Sequence, residues 1–526
     1  MLPREMLRAI SRNKPSKIAF QCGDRTATWR EMDERSDRLG AALQRLGLKK
    51  GEATAILSPE CIEVHEHFHA CMKTGHVRIG VNARYAWREI EHVLLDSKTR
   101  VLFVEERCLP IVEAHVGALR ERGTILIGIR TSALDHEYET LLAAADDSGE
   151  WPALAPQDEL FYSYTSGTTG VPKGVILTHG GVANAILHSV RSFGFSPDDI
   201  WYNPSASAWV TLVMSHFNLA NGMTTVIPEG AFRIDGFLSD VGRFRVTSVI
   251  LVPTMIQWIL QELREKSYDL SSWRFIIYGS APSSPALIQR MRECLDVDLV
   301  QTYGLTEATG GWITYLTEDD HKVALRNKPE WLTSIGRVGP HFEASIRDEN
   351  GRAVPPDGQG ELWVRGAAVM KGYLNRPDET AEVMRDDGWL RTNDIARMDE
   401  DGFVYLLDRK KFMIISGAVN VFPATVESVL YEHPAVAEAA VVGASHPEWG
   451  EAVVAFVVPE RGYDDISQQE IVAFCADKLS KPEIPKHIIF IEELPKTANA
   501  KIMKEPLKRS LIENPELLPW LVHERA

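Results

Sequence analysis

The sequence predicts an α/β protein: a large N-terminal domain of two α/β subdomains plus a small β-rich subdomain, followed by a small α+β C-terminal domain. Three observations carry that reading. Short apolar strands alternate with one-faced helical patterns through residues 17 to 160 and again beyond Thr224, as parallel strands covered by helices require. From Glu343 to Val364 the pattern changes to short alternating strands broken by Gly and Pro, which indicates an antiparallel or barrel-like subdomain. At Asp408 to Lys411 an apolar strand runs into the charged DRKK and a new α/β pattern begins, so the boundary falls there, giving domains 1–408 and 409–526. A chain of 526 residues is too long for one ordinary core, which supports the division.

Taken in order, Lys17 to Gln21 and Thr26 to Trp29 read as strands, and Met32 to Leu46 as a helix with Leu39, Ala42, Leu43 and Leu46 on one face. Ala53 to Leu57 is a strand and Ile62 to Thr74 a helix; Val101 to Val104 and Ile125 to Ile129 are buried strands. Within that second helix, HEHFH places His65 and His69 one turn apart. No acidic or cysteine partner stands at ligand spacing, so they are expected to be ordinary helix-surface histidines and not metal ligands. An FYSY run and Val175 to Leu177 are strands on either side of a polar loop. Thr178 then caps a helix with Val182, Ile186, Val190 and Phe193 on one side. Strands at Thr224 to Ile227, Ser248 to Val252, Phe275 to Tyr278 and Leu299 to Gln301 build the second unit.

Composition limits the partners. Lys and Arg number 57 against 73 Asp and Glu, a net charge of −16, which argues against nucleic-acid binding and requires any anionic ligand to be met by local positive groups. The six cysteines (Cys22, Cys61, Cys71, Cys108, Cys294, Cys475) include no C-x-x-C pair and read as reduced thiols rather than a disulfide framework or a zinc site. The opening MLPREMLRAISRNKP carries charges where a signal peptide needs an apolar core, and no apolar run has membrane-spanning length; a cytoplasmic protein is expected.

The most informative stretch is Tyr162 to Gly174, YSYTSGTTGVPKG. Thr165, Ser166, Thr168 and Thr169 supply hydroxyls, Gly167 and Gly170 let backbone N–H groups converge on an anion, and Lys173 adds a charge that reaches the outer phosphates. Pro172 before the lysine and Gly174 after it exclude a Walker-type loop. The stretch resembles the phosphate loop of the adenylate-forming superfamily, which contains acyl-CoA synthetases, peptide-synthetase adenylation domains and luciferases. The resemblance implies an acyl-adenylate made from a carboxylic acid and ATP.

Further motifs follow in the family's order, and each role below is what the resemblance implies. In YGLTE, Tyr303 packs on the adenine with Gly304 beside it, Thr306 meets the α-phosphate and Glu307 helps to hold Mg²⁺, a cation that needs only one or two carboxylates. Gly279, Ser280, Ala281 and Pro282 form the adenine-binding turn. In DGWLRTNDIA, Asp394 accepts the ribose hydroxyls, preceded by Asn393 where the family usually has glycine. In DRKKFMIISGAVNVFP, Arg409 contacts ribose and phosphate, Lys411 is the hinge of a mobile C-terminal domain, and Ser416, Gly417 and Ala418 border the thiol tunnel. In LPKTANAKIMK, Lys501 reaches into the adenylation site, with Ala500 at another usual glycine.

Substrate choice in the family lies between Trp201 and Gly222 and around Tyr278 to Trp312. Asn203 to Ala220 contains no acidic residue, so the ammonium of an α-amino acid would have no partner there. PSAS, ending at Ser207, replaces the family's P-x-F-H, and Gly304 stands where acetyl-specific members carry tryptophan. Ser207, Trp209, Gly304 and Trp312 are the pocket candidates, for a bulky apolar acid. The sequence is thus read as an AMP-forming acid–CoA ligase using ATP, Mg²⁺ and coenzyme A. The alternatives are acyl transfer to a phosphopantetheinyl carrier protein and a non-catalytic ligand-binding member.

Overall fold

The computed structural model describes residues 1–145, 151–165, 172–229, 232–281, 283–409, 412–416, 419–463, 465–496 and 502–522. Among these the strands form four sheets. An eight-stranded sheet runs, edge to edge, through Gly372–Tyr373, Lys173–Thr178, Glu159–Thr165, Val77–Val81, Ala53–Leu57, Val101–Glu105, Ile125–Ile129 and His136–Glu137. Its middle strands are parallel and buried along their length, which is why they read as short apolar runs.

The nine-stranded sheet follows the order Arg337–Val338, Trp312–Leu316, Asp298–Gly304, Phe275–Gly279, Ser248–Leu251, Ile200–Tyr202, Thr224–Ile227, Ile18–Cys22 and Arg25–Thr28. The sequence suggests two units laid end to end, but the structure interleaves them. The N-terminal hairpin crosses into the second sheet, with Phe20 in parallel register with Thr225. The N-terminal stretch itself forms a helix, Pro3–Asn13, burying Met6 and Leu7.

Between the two sheets lies the helix Ile62–Thr74, and every one of its residues is buried. His65 stacks on Phe20 of the nine-stranded sheet with ring centroids 4.4 Å apart, while His67 meets Phe103 at 4.7 Å and bonds Thr54 at 2.8 Å in the other sheet. The expectation of helix-surface histidines is therefore overturned: His65, His67 and His69 are all 0% exposed. A helix clamped on both sides has no solvent face; burial pushes the pKa of His67 and of His69 well down, which keeps those two rings neutral.

The region of alternating strands is a four-stranded antiparallel sheet, Phe342–Arg347, Gln359–Gly366, Leu390–Met398 and Val404–Arg409. Beyond it, Ile414–Ser416, Val419–Val421, Val436–His446, Gly450–Pro459 and His487–Phe490 make a mixed sheet. With the helices Pro423–Leu430 and Gln468–Ala476 it encloses a separate core around Val426, Val441, Val453, Ile471 and Cys475.

Candidate active site

The segment expected to be the phosphate loop joins two paired strands. Thr165 ends one and Lys173 begins the next, directly opposite in antiparallel register. Ser166, Gly167, Thr168, Thr169 and Gly170 lie outside the described residues. Lys173 forms an ion pair with Glu379 and sits 5.7 Å from the ring of Tyr373. Tyr373 arrives on the two-residue strand Gly372–Tyr373, which adds to the sheet edge opposite Val175 and Ile176. Its hydroxyl donates to Glu307 Oε1 at 2.9 Å. Glu307 belongs to the single turn Thr306–Ala308, which contacts the strand Lys173–Thr178 and whose Glu307 carbonyl accepts the Met370 N–H at 2.7 Å. Lys173, Tyr373, Thr306 and Glu307 are thus brought together from three distant parts of the chain.

The nucleoside side is built from neighbouring strand ends. Gly279 pairs with Thr302, so the turn at Ser280, with φ 65°, and the half-buried Ala281 lies beside Tyr303. Pro282 is outside the described residues. Tyr303 donates its hydroxyl to Asp394, which is 4% exposed and faces Arg409 across the antiparallel pair. Asn393 takes φ 60°, the left-handed turn expected of the glycine it replaces; its short amide side chain tolerates that angle better than most.

On the acid side, Ser207 is buried and donates twice to Glu60, from N–H at 3.0 Å and from Oγ at 2.7 Å. Glu60 also pairs with His65 Nε2 at 2.8 Å. A carboxylate therefore does reach the 203–220 segment, from a part of the chain that the segment's own composition could not reveal. Both Glu60 oxygens are engaged, so it acts as a tie for Ser207. Trp209 is half-buried. A Cβ on Gly304 would stand 2.7 Å from the Gly311 carbonyl and 3.5 Å from the Trp312 ring, so Trp312, 2% exposed and packed near Phe193 at 6.2 Å, forms the wall behind Gly304.

Ser416 is buried and bridges to Gly450. Lys411, Gly417, Ala418 and Lys501 lie outside the described residues, as does the side chain of Arg409. No group of three His, Cys, Asp or Glu side chains among the described residues could hold a metal by itself. Glu307, with Oε1 on Tyr373, suits a cation that takes one carboxylate and fills its other positions from phosphate and water. Glu60, Tyr373 and Glu379 were not found from sequence, since each meets its partner at a long sequence separation.

The residues expected to meet phosphates and ribose come from separate segments at the ends of sheet strands, the arrangement the resemblance to adenylate-forming enzymes implies. The chain belongs to the AMP-binding enzyme family: that family's profile matches residues 7–374, and the profile of the AMP-binding enzyme C-terminal domain matches residues 425–501. The long-chain-fatty-acid–CoA ligase FadD13 of Mycobacterium tuberculosis is 33% identical over 493 residues, covering 91% of this chain and 92% of that one. The fatty acid–[acyl-carrier-protein] ligase ScoC of Streptomyces coeruleorubidus is 32% identical over 508 residues, 95% and 94% of the two chains. The crystal structure of ATP-bound MatB from Rhodopseudomonas palustris superimposes with a TM-score of 0.87 at 26% identity, covering 97% of this chain and 99% of that one.

Proposed function

We propose that this protein is an AMP-forming acid–CoA ligase. The observation that carries the reading is the convergence of Lys173, Thr306, Glu307, Tyr303 and Asp394 at the strand ends where such a nucleotide would bind. In the first step a carboxylate oxygen of the acid attacks the α-phosphorus of ATP in line, a P–O bond forms, and the bond to pyrophosphate breaks. Two anions must be brought together, so the site has to neutralise charge before and during attack. Lys173 serves the outer phosphates, Thr306 the α-phosphate, Asp394 and Arg409 the ribose, and Lys501 the reacting oxygens. Mg²⁺, held by Glu307, would supply further charge on the phosphate oxygens when bound. In the second step the thiol sulfur attacks the acyl carbon, loses its proton, and AMP leaves. Domain 409–526 turns about Lys411 between the steps, bringing Ser416, Gly417 and Ala418 to the thiol path.

The acid is bulky and largely apolar, received between Ser207, Trp209, Gly304 and Trp312. The location is cytoplasmic, supported by cysteines that are all free and by the absence, among the described residues, of a helix long and apolar enough to cross a membrane. A carrier protein is the second acceptor to consider, because one relative of equal coverage is named for that reaction.

The test is pyrophosphate release with ATP, Mg²⁺ and a panel of aliphatic and aryl acids, with CoA, with a phosphopantetheinylated carrier protein, and with neither. Turnover raised by CoA and not by the carrier is expected; the reverse would move the acceptor to the carrier, and silence throughout would leave a binding protein. Lys501→Ala should cripple adenylation yet spare thioester formation from supplied acyl-adenylate, whereas equal loss in both halves would remove Lys501 from its assigned role.

A further inference from the structure

Arg78 lies in the parallel strand Val77–Val81 and is 1% exposed, yet its Nε and Nη1 have no hydrogen-bond partner among the described residues. Its guanidinium stacks over Phe161 at 5.0 Å. Burial lowers its pKa to about 10, which leaves it charged at neutral pH. A buried cation without a partner is costly, and the carboxylate whose field bears on it, Glu60, is already spent on Ser207 and His65. The fold makes room for this group: a Cβ on Gly80 would stand 2.5 Å from Arg78 Nη1 and 2.6 Å from Cα and O of Ala208. Gly80 thus lets the guanidinium reach the backbone of Ala208, in the acid-binding segment between Ser207 and Trp209.

The position has a depth. Arg78 is in register with Phe161 of the neighbouring strand, Ile79 with Tyr162, and Gly80 therefore lies level with Ser163. Ser163 shares the face of Phe161, is 0% exposed, and its Oγ also has no partner among the described residues. Ser163 stands two positions before Thr165, about 7 Å at the usual rise. The neighbouring His69 and His216 leave further ring nitrogens unpartnered, their rings 5.0 Å apart, and burial holds both neutral. The face is rich in donors and its one charge to spare is positive.

We infer that Arg78, assisted by Ser163, binds a second anionic group, a carboxylate, at the far end of the acid, so that the substrate is a dicarboxylic acid with an apolar middle. This rests on the ligase reading and narrows it. The activated carboxylate meets ATP at the strand ends, the apolar span passes Trp209 and Gly304, and the distal carboxylate receives the two free N–H groups of Arg78 and the Ser163 hydroxyl.

The test compares hexanoate through decanoate with the matching α,ω-dicarboxylates, in wild type, Arg78→Met, Arg78→Lys and Ser163→Ala. The wild type is expected to favour the dicarboxylates in pyrophosphate release by about tenfold or more in kcat/KM, as for a hydrogen bond to a charged group. Arg78→Met should reverse that preference, Arg78→Lys restore part of it, and Ser163→Ala weaken dicarboxylates while leaving methyl-ended acids unchanged. Without any acid, Arg78→Met should melt no lower than wild type, since it removes an unpartnered buried charge. Thermal shift supplies a readout apart from turnover: dicarboxylates should raise the wild-type Tm and not that of Arg78→Met. Equal selectivity in both proteins, or a lowered Tm of Arg78→Met with no dicarboxylate-dependent shift in wild type, would make Arg78 structural and overturn the inference. If no acid releases pyrophosphate but the Arg78-dependent shift persists, the ligase reading fails and the dicarboxylate site stands.

Discussion

Asp394 and Tyr303 hold one another across two strands, and this contact sets what each can offer a nucleotide. The Asp394 carboxylate has one oxygen on the Tyr303 hydroxyl, and the same carboxylate is proposed to receive the ribose. Asp394→Asn should therefore raise the KM for ATP by about tenfold, the loss expected for hydrogen bonds to a charged acceptor. Tyr303→Phe keeps the ring for adenine but frees the oxygen, so ATP should bind a few-fold more tightly while the protein alone melts slightly lower. Calorimetric ATP titration of both variants checks this; equal weakening in the two would mean that the hydroxyl orients Asp394 and does not compete for it. At this scale the sequence offered most where candidate residues stand in contiguous runs, as in YGLTE or TNDIA. It was silent on Arg78, Glu60 and Tyr373, whose chemistry arises only when the sheet places them beside residues far along the chain.

The strand Gly372–Tyr373 shows how an element carries function in two residues. It is too short for any periodicity to reveal, yet by pairing with Val175 and Ile176 it sets Tyr373 against Glu307 and over Lys173. The following helix, Pro377–Val383, brings Glu379 onto Lys173. Phosphate would need the same ammonium, so Glu379→Gln should lower the KM for ATP a few-fold with a stability cost below about 1 kcal/mol, as for a partly exposed pair. An unchanged ATP affinity with a large drop in Tm would instead assign the pair to the fold. Longer elements announced themselves better: the helix Ile62–Thr74 and the strands Ala53–Leu57, Ile125–Ile129 and Thr224–Ile227 begin and end where apolar patterning and turn residues placed them. What patterning could not tell was the environment. The same HEHFH run suits a solvent face or the interior, and the decision belongs to the sheet packed on the other side.

At the scale of the whole molecule, the interleaving of the two large sheets is what buries the imidazoles of His65, His67, His69 and His216. Strand exchange brings Phe20 and His216 onto the helix that also touches Phe103, so no turn of it reaches water. Burial pushes His76, His179, His321 and His341 down to about 4, and His67, His69 and His216 well below the usual range. A histidine depressed in the fold titrates near 6.5 once unfolded, so between those values the unfolded chain holds the extra proton. Stability from His76, His179, His321 and His341 is complete above about pH 6.5 and is lost as pH falls toward about 4, and that from His67, His69 and His216 is lost in the same direction. Near the middle of that window His76, His179 and His321 should each take up close to one proton on unfolding, a slope of at most about 1.4 kcal/mol per pH unit for each, and the remaining histidines act in the same direction. Scanning calorimetry from about pH 8 to about pH 5 should therefore give a Tm that is flat at first and then falls steeply, well before carboxylates begin to protonate. Replacing His69 by Phe, which keeps a ring against Phe20 and His216 without titrating, should make the fall shallower. A Tm that stays level to about pH 5 would mean that these rings accept protons inside the fold, and the interior between the sheets would then have to be wetter than its burial indicates.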